Sequence, residues 1–130
     1  MDKKRAVKYW FDGAIYDLET AYSLLEAGRF PYALFFGHLA LEKLLKAVVV
    51  NQTETHAPHT HSLTILAERA KLDMTPEVID LLAGFSTFNI EARYPDEKSD
   101  FYKRCTREFA EAQLAEMKKV FEWLRQKSGM

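Results

Sequence analysis

Between Asp2 and about Ala27 the positions Trp10, Ala14, Asp17/Leu18, Ala21 and Leu25 recur every three or four residues, the spacing of one helical face. Gly28-Arg29-Phe30-Pro31 then reads as a C-cap followed by a new start, with Pro31 near the first position of a second helix. That helix runs from about Tyr32 to Gln52, about 30 Å at 1.5 Å per residue. It is apolar nearly all round (Ala33, Leu34, Phe35, Phe36, Leu39, Ala40, Leu41, Leu44, Leu45), so it belongs in the middle of a bundle. The stretch TETHAPHTH is a loop, and a short helix follows from Ser62 to Lys71.

Thr75-Pro76-Glu77 supplies an N-cap, a proline at N1 and an acid in the first turn, which predicts another helix to about Asn89. Pro95 marks a loop after it, because proline lacks an N–H and restricts the residue before it. A last helix spans about Arg104 to Lys127, with Ala110, Leu114, Met117, Phe121 and Leu124 facing inward. No segment alternates with period two, and Val48-Val49-Val50 stays helical at the end of its long pattern. The expected fold is all-α: an antiparallel bundle of four to five helices, forming a single domain over residues 1–130.

Composition narrows the function more than the fold. Lys and Arg total 18 against 19 Asp and Glu, so the molecule lacks the basic excess of a non-specific nucleic-acid binder. With a single cysteine, Cys105, an internal disulfide framework is excluded. The N-terminal stretch has no apolar run of the kind a secretory signal needs. The most apolar window carries His38, Glu42, Lys43 and Lys46, too many polar groups for a membrane span. The expectation is a cytoplasmic domain without membrane contact. No P-loop, no GxGxxG after a strand and no GxSxG elbow is present.

Four constellations remain. His38, Glu42 and Lys46 stand at i, i+4 and i+8 on the second helix, a nearly axial stripe. On a surface helix such a stripe is a solvated face. On a helix this apolar, desolvation requires partners or a cleft, so it is either a structural network or the lining of a ligand groove. His56, His59 and His61 place three imidazoles in one loop, but a closed zinc site takes four ligands and no CxxC or HExxH companion exists. No metal and no cofactor is assigned; the alternative is an exposed His59, with His61 holding the loop at a helix start. Arg93-Tyr94, just before Pro95, pairs a planar donor fork suited to phosphate with a stacking face and a hydroxyl. Finally, Lys3, Lys4, Arg5 and Lys8 stand beside Tyr9, Trp10 and Phe11, either touching nucleic acid or solubilising a helix start.

Four landmarks in order carry a family resemblance: YWFDGAIYDLETAYSLLEAGRFPYA, the ALEKLLKA core of the second helix, the HSL after the loop, and ARYP. The chain resembles a HEPN domain, and the resemblance covers nearly its whole length. It implies a helical homodimer, often encoded beside a minimal nucleotidyltransferase in a toxin–antitoxin-like pair. Many relatives are metal-independent ribonucleases whose active site is an Arg followed about four to six residues on by His, where histidine moves the 2′-hydroxyl proton and arginine stabilises the transition state.

This chain departs from that pattern. Arg29 to His38 leaves eight residues between, and no histidine follows Arg93. The expectation is therefore a binding module: a homodimer that holds nucleotide or RNA phosphate through Arg93, Tyr94, Glu42, Lys46, His61 and His38, with no assigned catalytic residue. Two alternatives stand beside it. One is a ribonuclease with a rearranged site, using His38 or His61 with Arg93; the other is a structural bundle whose face docks another protein.

Overall fold

A computed structural model describes residues 2–93 and 95–130, with side chains described everywhere except at 90–99. Among the described residues there are six helices and no strand: α1 Lys3–Glu26, α2 Phe30–Thr53, α3 Leu63–Arg69, α4 Pro76–Arg93, α5 Pro95–Arg104 and α6 Arg107–Ser128. The all-α bundle is as the periodicity predicts, and its boundaries follow from local chemistry.

Asp2 caps α1 by accepting the Arg5 N–H at 3.2 Å. At the other end Gly28, at φ +79°, lets Gly28 N–H donate to Leu25 O and Arg29 N–H donate to Leu24 O. These two bonds satisfy carbonyls that the helix end would leave open. Pro31 then lies in the first turn of α2, where its missing N–H costs nothing. Ser62, Thr75 and Thr106 cap α3, α4 and α6 through hydroxyls that accept N–H groups three residues on.

The segment after α4 differs from expectation. Pro95 does not open a loop; α4 continues to Arg93 and Pro95 begins the ten-residue α5. A proline that cannot continue one helix is preorganised for the first position of the next, and the sequence signal for the two roles is the same. Among the described residues the count of helices therefore rises to six, and α6 starts three residues later than its pattern suggests.

Contact partners fix the direction of the first two helices. Lys3 meets Glu54, Trp10 meets Lys46 and Asp17 meets Lys43, so rising numbers on α1 face falling numbers on α2. This is an antiparallel hairpin. From Leu44 to Val50 every residue of α2 is buried, including Lys46, because α1, α3, α4 and α6 surround it. Ala110, Leu114, Met117, Phe121 and Leu124 of α6 all lie in the core. Gly37 marks where α6 crosses α2. A Cβ there would overlap Met117 Sδ and stand 3.1 Å from Leu114 Cδ1, so only glycine leaves room for this approach. No helix among the described residues is long and apolar enough to cross a membrane.

Candidate binding site at the α1–α2 seam

The axial stripe of α2 faces inward, toward α1 and the loop before α3. His38 is fully buried, and the side chains of Glu42 and Lys46 are 5% and 9% exposed. A carboxylate and an ammonium removed from water this far need each other and more. Lys46 Nζ donates to Glu42 Oε2 at 3.1 Å, and the same ammonium lies 5.1 Å from the centroid of the Trp10 ring. The indole face supplies the second favourable contact for the cation.

Glu42 has a further partner from outside the helix. His61 Nδ1 stands 3.0 Å from Oε1 and 3.2 Å from Oε2 of the carboxylate. His61 is also tied by its main chain, since His38 Nε2 donates to the His61 carbonyl at 3.1 Å. That bond places a hydrogen on His38 Nε2 and turns Nδ1 toward Glu42, 3.9 Å from Oε1. Two contacts thus hold the 54–62 loop against α2. They leave the His61 ring half exposed, with its Nδ1 engaged by a buried carboxylate.

One turn further along the seam is a second ion pair. Lys43 Nζ is 2.8 Å from Asp17 Oδ2, and Asp17 is nearly buried on α1. The lysine stem lies over Gly13, where an added Cβ would come to 3.1 Å from Lys43 Cδ. Each cation of the seam is matched by one carboxylate. An ammonium has three N–H donors, so Lys46 keeps donors beyond the one bound to Glu42. Outside the seam Tyr9 is 69% exposed and meets Trp10 edge to face at 5.1 Å.

Of the residues expected from sequence, His38, Glu42, Lys46 and His61 converge here. Arg93 closes α4, but its side chain lies outside the described residues, as does Tyr94 altogether. His56 and His59 are exposed, and among the described residues no group of three or more His, Cys, Asp or Glu is arranged to hold a metal ion. Sequence reasoning does not assign Trp10, Asp17 and Lys43 to the site. Asp17 carries a signal: it is an acid standing in the apolar stripe of α1, a position that needs a cation from the facing helix.

Residues 7–127 match the HEPN domain family. Among solved structures, the crystal structure of TT1696 from Thermus thermophilus is similar, with a TM-score of 0.79 at 22% identity, covering 93% of this chain and 97% of that one. At that identity the likeness shows the fold. No curated protein matches the chain.

Proposed function

Because the chain belongs to the HEPN family, we propose that it is a nucleotide- or RNA-phosphate-binding module whose ligand sits on the α1–α2 seam. The observation that carries this reading is the Lys46 ammonium, held between the Glu42 carboxylate and the Trp10 face beside an exposed tyrosine. A phosphate takes the remaining Lys46 donors and His61 Nε2, and a base stacks on Tyr9. Arg93 is proposed as the further cation, on the sequence argument alone. The module is a homodimer and works with a separately encoded minimal nucleotidyltransferase, as the family resemblance implies. Light scattering tests the first part, and co-purification of the co-expressed pair tests the second.

Calorimetric titration with ATP, GTP and a short single-stranded RNA tests the binding. Wild type is expected to bind at least one of them. Lys46→Gln, which keeps a hydrogen bond to Glu42, is expected to weaken binding about tenfold or more. Tyr9→Ala, an exposed change that leaves the core intact, removes stacking of about 1–3 kcal/mol per base. No heat from any of the three ligands with folded wild type overturns the proposal.

One observation favours a second reading, a ribonuclease with a rearranged site. Glu42 holds His61 through Nδ1 while the ring is half exposed, an arrangement in which the other ring nitrogen can accept a proton from a 2′-hydroxyl. Metal-free cleavage of single-stranded RNA that disappears in both His61→Ala and Arg93→Ala is the expected result on this reading. RNA left intact by wild type over hours ends it.

A further inference from the structure

At one end of the bundle α1 begins and both α2 and α6 finish. A cavity of about 350 Å³ opens there, within the range of about 300–1,000 Å³ typical of small-ligand pockets. Five of its lining residues come from α1: Lys3, Lys4, Val7, Lys8 and Phe11. They stand at i, i+1, i+4, i+5 and i+8, one face of the helix, so apolar and basic positions share the same wall. Phe11 and Met130 also pack against the core from this side, which makes the floor apolar.

The lining side chains that carry charge are all basic. Three lysines line the cavity and no acidic side chain does. Lys3 reaches out to Glu54 at 3.5 Å and Lys8 to Asp12; the second pair is largely exposed and Lys3 is partly exposed, so both are weak. Lys4 has no ion pair or hydrogen bond among the described residues and is exposed. Asn51 of α2 adds one neutral polar group on the far wall. An apolar floor beneath a cationic rim suits a ligand of matching polarity: an apolar body that covers Val7 and Phe11, and an anionic head that meets Lys4 and Lys8.

We propose that this cavity binds a small anionic amphiphile, a carboxylate or phosphate monoester on a medium-length apolar chain, independently of the ligand at the α1–α2 seam. Both parts of the ligand are needed. The apolar body alone leaves the rim unmatched, and a bare phosphate gains only exposed lysine contacts.

Titration of the full chain with decanoate and decyl phosphate, below their micelle concentrations, tests this against decanol, inorganic phosphate and phosphatidylglycerol vesicles. Expected is saturable one-to-one binding of at least one anionic amphiphile. Decanol and phosphate should bind at least tenfold more weakly, and the Met130 methyl resonance should shift on binding. Lys4→Glu/Lys8→Glu, a double change of exposed residues, should weaken amphiphile binding at least tenfold while the far-ultraviolet circular dichroism stays helical. Equal binding of decanol or of phosphate overturns the proposal, as does undiminished binding by the double variant. Capture by vesicles without binding of either free amphiphile assigns the face to a bilayer and also overturns it. Loss of nucleotide binding in Lys46→Gln with amphiphile binding retained is the expected separation of the two sites.

Discussion

Replacing Glu42 by alanine is expected to destabilise the folded chain by about 3–5 kcal/mol, the cost of stranding a buried charge. The change leaves the Lys46 ammonium in a site where only 9% of its side chain reaches solvent, with the Trp10 face as its remaining favourable contact. It also removes the acceptor of the His61 ring, so the loop before α3 loses one of its two ties to α2. Lys46→Met is expected to cost less, because the carboxylate it leaves behind is still held by His61. The double change Glu42→Leu/Lys46→Met removes both charges and fills their volume. It is expected to be more stable than Glu42→Ala, since apolar replacement of a buried pair is often neutral or better. Urea unfolding of the set measures all three. A Glu42→Ala variant within about 1 kcal/mol of wild type would mean that water reaches the pair and that the seam is an ordinary exposed face.

Gly37→Leu is expected to lose more than about 3 kcal/mol or to prevent folding, because overpacking a filled core forces side chains and backbone apart. Gly37→Ala is the more informative case, since two effects oppose. Alanine gains about 1 kcal/mol of helix propensity over glycine. Its Cβ would overlap Met117 Sδ and crowd Leu114, and a sulfur in mid-chain cannot swing aside as a terminal methyl can. The net expectation is a loss of about 1–2 kcal/mol. Adding Met117→Ala should return part of that loss, so that the double change costs less than the sum of the single ones. A Gly37→Ala variant more stable than wild type would show that α6 withdraws easily and that the close crossing is not held by its neighbours.

Legibility in the sequence varies by position for physical reasons. Gly28 and Pro31 announce the α1–α2 turn because each acts through its own backbone. Thr75 with Pro76 announces α4 in the same way. Pro95 is ambiguous, since stopping one helix and starting another demand the same missing N–H, and the pattern alone reads the ten residues of α5 as loop. Gly37 carries no signal at all. A glycine inside an apolar helix costs propensity, but only the neighbouring α6 says what that cost permits.

The seam shows the same division. That His38, Glu42 and Lys46 share one line is a property of a helix with 3.6 residues per turn, and it follows from their numbers alone. That the line is buried also follows, in outline, from the apolar residues around it. The partners do not follow: His61 arrives from a loop nineteen residues away, and Trp10 and Asp17 arrive from α1. Helix type, caps and the polar stripe are local, set by interactions within a few residues, so sequence by itself determines them. Which carboxylate each lysine meets, and where a cavity opens at the bundle end, depend on how the helices cross. Only the packed tertiary structure decides that, because distant chain segments acquire a shared geometry only when the core closes.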